Sequence, residues 1–218
     1  VMKMLESKLY TDVPDMYGTT WKEMLERVTP RENEVIHSLE KPLFHEPGLK
    51  ILRGNLSPNG AIVRPTAVYE EVKYLKGKAK VFEGDRPAFE AIQSGEIVPG
   101  DIIVIRYEGC KGAPGMKELM LSIDALIGLG LHKSVGLISD ARFSGFNYGA
   151  IVGHVSPEAY DGGTIALVEN GDEIVIDIPG GELNLLVSEE ELARRRENWV
   201  CPPLKEEKGC LNIYAKTC

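Results

Sequence analysis

A chain of 218 residues, 43% hydrophobic and 27% charged, has ordinary globular composition and enough length to bury a substantial core, which excludes a disordered or fibrous protein. Its formal net charge of −8 excludes a surface built for nucleic acid, because that affinity comes from clustered Lys and Arg. No apolar window approaches the roughly 18 residues of a membrane span, the start VMKMLESKLYTDV carries no apolar signal core, and the cysteines at 110, 201, 210 and 218 form no Cys-x-x-Cys pair. The expectation is a cytoplasmic protein with reduced thiols, no disulfide framework and no membrane or nucleic-acid partner.

Residues 1–47 read as an arm. In TTWKEMLERV, Trp21, Met24, Leu25 and Val28 recur at helical spacing behind a Thr suited to capping. The following TPRENEVIHSLEKPLFHEPG is polar, punctuated by proline and without period. From Leu49 the texture changes to short runs rich in Ile and Val and bounded by Gly, Pro, Asn and Asp. LKILRGN, GAIVRP, KAKVFE, GDIIVIRYEG, SVGLISD, TIALVEN, DEIVIDIP and ELNLLV are predicted as strands. Helices are predicted at 86–95, 114–130 and 188–199, the last with Ser188 and Glu191 at capping-box spacing and with early acids and late bases that suit the dipole of a solvated helix. Asn170-Gly171 predicts a type I′ hairpin joining TIALVEN to DEIVIDIP. Strands joined partly by hairpins and partly through helices predict a mixed α/β sheet or barrel with helices outside, over residues 48–218.

Three segments have a composition that scaffolding alone does not require. RGNLSPNGAIVRP, 53–65, reads most simply as a hairpin with a wide turn. In RYEGCKGAPGMKELM, 106–120, a strand ends at Glu108 before a glycine-rich loop expected to open a helix. Such a junction turns backbone N–H groups toward an anion, and an acid beside it can hold a hard cation; the plain alternative is a solvated glutamate. In SDARFSGFNYGAIVGHVSPEA, 139–159, an apolar run stops at a corner and delivers Ser144 between Phe143 and Gly145. It is either a displayed base or nucleophile, or a hydroxyl in a turn between a strand and a helix. Gly-x-Ser-x-Gly is absent, and His154 reads as a buried, hydrogen-bonded histidine.

Taken together, ILRGNLSPNGAIVRP, VFEGDRPAFEAIQSGEIVPGDIIVIRYEG, GAPGMKELM, DARFSG and GHVSPEAYDGGTIALVENGDEIVIDIP occur in the order and spacing of one family. From about Leu49 to Trp199, and more loosely to GCLNIYA, the chain resembles the C-terminal part of the dihydroxy-acid dehydratase and phosphogluconate dehydratase family, which includes sugar-acid dehydratases. The resemblance implies a swivelling β/β/α barrel-like domain and removal of water from a 2,3-dihydroxy acid, branched-chain or sugar acid, to give a 2-keto acid. It also implies an iron–sulfur cluster and Mg²⁺ in the complete enzyme. By the same resemblance Glu108 is a metal ligand and Ser144 the base at C2, while Asn55, Arg142, Gly145 and Asn147 are substrate-binding or site-loop positions. The cluster ligands are absent from this chain, so the implied partners are a cluster-bearing N-terminal domain or subunit, a small hydroxy acid and further copies in a homo-oligomer. Two departures accompany the match: Phe146 and Asn147 stand where the family commonly places a threonine after the serine, and Cys110 replaces the proline of Tyr-Glu-Gly-Pro. The competing class is a non-catalytic swivelling module that binds a partner or a small acid without turnover.

Overall fold

The computed structural model describes residues 1–31, 34–145 and 147–218, and it divides into two units, Val1–Glu46 and Pro47–Cys218. In the first, a 3₁₀ helix at Met2–Lys8 precedes helix α1 at Trp21–Glu26. Thr20 closes a capping box on α1: its hydroxyl accepts from the Glu23 amide at 3.2 Å, and the Glu23 carboxylate accepts from the Thr20 amide at 2.9 Å. Of the apolar residues at helical spacing, Leu25 is buried, whereas Val28 is exposed.

The second unit is a closed eight-stranded barrel. Its strands are β1 (Lys50–Gly54), β2 (Ser57–Val63), β3 (Tyr74–Phe82), β4 (Asp101–Ile105), β5 (Gly136–Ser139), β6 (Ala150–Ser156), β7 (Glu173–Asp177) and β8 (Glu182–Leu185). Around the barrel the order is β1-β2-β6-β5-β4-β3-β7-β8, and β8 closes on β1. Strands β3, β4, β5 and β6 are parallel neighbours, so the loops that follow them begin at one end of the barrel. That common end assembles the candidate site.

Strand composition follows from what covers each face. In β4 all five residues of DIIVI are buried. Ile102 and Val104 belong to the barrel interior, whereas Ile103 and Ile105 join a second cluster with Ala88 and Ile92 of helix α2 (Asp85–Gln93) and Ile123 and Leu126 of helix α3 (Leu121–Gly128). A strand covered on both sides is a continuous apolar run, here Ile102 to Ile105, and the buried Asp101 that opens it accepts from the Val98 amide. By contrast β7, EIVID, buries Ile174 and Ile176 and turns Glu173 outward, the alternation of a strand with one wet face. Each fully buried Ile contributes about 1.5–3 kcal/mol.

Helix α4 (Glu189–Asn198) begins where Ser188 and Glu191 predicted, and the Ser188 hydroxyl accepts from the Glu191 amide. The Glu191 carboxylate binds Arg194 and Arg195 instead of returning to the cap, and those two guanidinium partners hold it down to about 2. Helix α5 (Gly209–Thr217) ends the chain.

Several expectations are corrected. TIALVEN is not a strand: Thr164–Leu167 form a 3₁₀ turn whose four residues are buried. Asn170-Gly171 does turn the chain, with Gly171 at φ 90°, but no hairpin forms there. The Asn170 side chain accepts from the Val81 amide and the Gly171 amide bonds Ala79, so the turn locks onto β3 while β7 makes its hairpin with β8. The helix expected over 114–130 is confined to Leu121–Gly128, because Asp85 takes the Leu121 and Ser122 amides and caps α3 at that point. The run AIVGHVS, which follows the turn read as leading into a helix, is strand β6. Glycines at 149 and 153 disguise that strand.

Candidate functional site

The loop after β4 is organised around buried carboxylates. Asp140, 1% exposed at the end of β5, accepts from the Tyr107 amide at 3.1 Å, the Glu108 amide at 3.0 Å and the Ala159 amide at 2.9 Å. One side chain thus joins the segments that follow β4, β5 and β6. Burial pushes its carboxyl up to about 6, and the three amide donors oppose that rise without cancelling it. The Glu158 carboxylate accepts from the Lys111 and Gly112 amides, so the glycine-rich loop closes round an anion, as its composition suggested, but the anion is the protein's own. The loop does not open a helix directly. Its far end is tied to the next loop, since the Leu119 amide bonds Arg142 and the Arg142 Nε donates to the Met116 carbonyl.

These contacts set Glu108. Tyr107 has φ 61°, a left-handed conformation that is strained for an aromatic residue, and its surroundings compensate it from three sides. Its amide meets Asp140, its carbonyl accepts from Lys205 Nζ at 2.8 Å, and its hydroxyl accepts from Trp199 Nε1 at 3.0 Å. The left-handed kink turns Glu108 inward: it is 6% exposed and Oε1 lies 2.9 Å from Lys205 Nζ. The solvated glutamate of the plain reading is therefore not what forms. Glu108 lines a cavity of about 440 Å³ with Glu83, Gly84, Lys117 and Glu118. Gly84 (φ 113°) permits the approach, because a Cβ there would lie 3.2 Å from Glu108 Oε1.

Ser144 sits differently. After Ser139 the chain runs beside β6, with the His154 amide bonded to the Ala141 carbonyl, and Phe143 packs over Gly153, where any Cβ would strike its ring at 2.6 Å. Ser144 follows, half-buried, and Gly145 is exposed. The next anchor is Arg64, whose guanidinium donates to the Gly145 carbonyl and to Asn147 Oδ1. Asn147 is 2% exposed and engaged by that arginine, and Phe146 lies outside the described residues. His154 is half-buried at φ 55° against the Phe143 ring rather than fully buried; burial and the Arg142 charge hold its imidazole below the ordinary range.

Among the site-loop residues the sequence singled out, Glu108 and Arg142 share the first loop system, and Gly145 and Asn147 share the second with Ser144. Asn55 belongs to neither. Its side chain donates to the Leu185 carbonyl and accepts from the Leu185 amide, closing the barrel between the β1–β2 turn and β8. Asp140, Glu158, Arg64 and Lys205 were not picked out by sequence reasoning. Arg64 carried a signal, a lone arginine ending an apolar strand; Lys205 lies 97 residues from its partner in an unpatterned tail and carried none.

Among the described residues no group of three or more His, Cys, Asp or Glu is placed to hold a metal ion. Glu108, a buried carboxylate already facing an ammonium, fits one ligand position of a hard cation. An iron–sulfur cluster does not fit this chain. Cys201 and Cys210 are exposed, and Cys110 is bonded to Cys218, which corrects the expectation of four reduced thiols. Among the described residues no helix is long and apolar enough to cross a membrane.

Comparison with known proteins decides the family. Residues 34–218 match the family described as dihydroxy-acid/6-phosphogluconate dehydratase C-terminal. The chain belongs to that family. Proteins named dihydroxy-acid dehydratase resemble this dehydratase C-terminal domain closely. The one from Moorella thermoacetica is 53% identical over 190 residues, covering 87% of this chain and 34% of the relative. That from Clostridium novyi (strain NT) is 49% identical over 209 residues, 95% of this chain and 38% of the relative. That from Methanosarcina barkeri is 48% identical over 221 residues, covering all of this chain and 40% of the relative. The dehydratase domain described here spans about a third to two fifths of the length of these relatives.

Proposed function

We propose that residues 48–218 are the barrel domain, and residues 1–47 the connecting arm, of a cytoplasmic hydro-lyase that dehydrates a 2,3-dihydroxy acid to a 2-keto acid. The relatives' shared name supports a dihydroxy acid over a sugar acid. One observation carries the reading: a single buried side chain, Asp140, fastens the Glu108 loop to the start of the loop that bears Ser144. Glu108 would supply one carboxylate ligand to Mg²⁺; Ser144, as its alkoxide, takes the C2 proton, the 3-hydroxyl departs with its bonding pair and takes that proton to become water, and the enol left behind tautomerises to the 2-keto acid. Bound at Glu108, the cation supplies the positive charge that makes both the C2 proton and the serine hydroxyl more acidic. Arg142 and Arg64 hold the two loops in register, and Gly145 leaves room beside the serine. The remaining Mg²⁺ ligands and the iron–sulfur cluster come from the cluster-bearing N-terminal part of the enzyme, which assembles as a homo-oligomer.

The test is a pair of variants in the complete enzyme. Ser144→Ala is expected to remove turnover beyond the ~10²–10⁴-fold typical of general base catalysis, with substrate binding retained and deuterium wash-in at C2 abolished. Glu108→Gln is expected to raise the Mg²⁺ requirement and to be partly rescued by added Mg²⁺, which leaves Ser144→Ala unchanged. Wash-in that persists in Ser144→Ala means that another group is the base. A second reading, a binding module without turnover, draws on Lys205 already neutralising Glu108. Under it, both variants leave partner or acid affinity unchanged and the complete protein turns over no hydroxy acid.

A further inference from the structure

The carboxy-terminal segment is tied to the Glu108 loop by groups distant in sequence. Lys205 donates to the Tyr107 carbonyl and pairs with Glu108 Oε1. Cys218 is bonded to Cys110, two residues beyond Glu108, with Cα atoms 6.3 Å apart although the two are 108 positions apart in sequence. The Tyr214 hydroxyl lies 3.7 Å from Cys110 Sγ. Otherwise the segment is lightly held: α5 buries only Asn212 and Ala215, and Leu211, Ile213 and Tyr214 are exposed. A helix with so little buried surface depends on its tethers. Cys110 is half-buried and Cys218 exposed, so a small oxidant or reductant reaches the pair.

We propose that Cys110 and Cys218 form a thiol–disulfide switch, whose oxidised form straps the carboxy-terminal segment over the Glu108 loop and keeps Lys205 against Glu108. The oxidant class is a low-molecular-weight disulfide. The thiolate of one cysteine attacks it, forming a mixed disulfide and expelling one small thiolate. The thiolate of the second cysteine attacks the sulfur of the first, closing the Cys110–Cys218 bond and expelling the other. The two cysteines lose two protons and two electrons, and the small disulfide, gaining the electrons, leaves as two thiols. A dithiol reverses the sequence, and with the tether cut Lys205 is held, among the described residues, only by its bond to the Tyr107 carbonyl and its ion pair with Glu108, in which the lysine is 47% exposed. The strap stands on geometry alone; its effect on turnover rests on Glu108 being a site residue.

The experiment compares the 218-residue chain after oxidised glutathione and after dithiothreitol. Peptide mapping is expected to find a Cys110–Cys218 crosslink within one chain, and trypsin is expected to cut after Lys205 and Lys208 about tenfold more slowly in the oxidised form. The difference should vanish in Cys218→Ser and in Cys110→Ser and persist in Cys201→Ser and Cys210→Ser. Pairing through Cys201 or Cys210, a crosslink between chains, or equal cleavage in both forms overturns the proposal. In the complete enzyme, oxidation should lower turnover and dithiothreitol restore it. Turnover unchanged by an established crosslink overturns the switch and leaves the enzyme reading standing. A complete, reduced enzyme without dehydratase activity refutes that reading, while mapping and proteolysis still judge the strap.

Discussion

The two loops that carry the candidate chemistry begin at the same end of the barrel, yet they are held by different means. The Glu108 loop is clamped from within by Asp140 and Glu158, whose carboxylates take four of its backbone amides and that of Ala159. The contacts of the Ser144 loop include an aromatic ring over Gly153, one arginine reaching across from the end of β2, and Arg142, which ties it to the far end of the Glu108 loop. A carboxylate that is to ligate a cation gains from a fixed, desolvated setting, since the ligand geometry is then formed in advance. Ser144 itself is half-buried, and under the proposed function it keeps access for a substrate.

The largest effect should come from Asp140→Ala, which strands three buried amides. A loss of about 3–5 kcal/mol in urea unfolding is expected, with Asp140→Asn recovering part of it through its remaining acceptor. A loss below ~1 kcal/mol would show that the clamp is not what holds the Glu108 loop. Gly84→Ala comes next. It places a side chain at φ 113° and presses on Glu108, so about 2 kcal/mol should be lost and, in the complete enzyme, the Mg²⁺ requirement should rise without a change in Ser144-dependent C2 exchange per bound metal. Glu158→Gln keeps the shape but loses the charge. About 1–2 kcal/mol is expected, and hydrogen exchange should quicken at the Lys111 and Gly112 amides and not at Ile151 or Val152 in β6. The smallest effect belongs to Arg64→Met, about 1 kcal/mol, read as faster exchange over 147–149 with the 107–112 amides unchanged. Equal effects of Arg64→Met on both loops would mean that they are one mechanical unit and not two.

Much of this architecture was legible in the residues. The four consecutive apolar residues of β4, Ile102 to Ile105, and the alternation of β7 report how many faces of each strand are covered, because burial acts locally on every side chain. Capping is equally local, so Ser188 located α4 to the residue. Glu108 and Ser144 were visible as polar residues at the ends of apolar runs. What the sequence could not tell was which partner each polar group would find. TIALVEN has the composition of a strand, but Ala79 and Val81 take the Asn170-Gly171 turn and leave the run no edge to pair with. Local propensity yields to that tertiary contact. Asp140, Glu158, Arg64 and Lys205 look like any charged surface residue until the barrel closes, and their roles depend on segments 19 to 98 residues away. The Cys110–Cys218 bond is the extreme case: no spacing rule links residues 108 apart, and only the fold of the tail onto the Glu108 loop brings their Cα atoms within 6.3 Å.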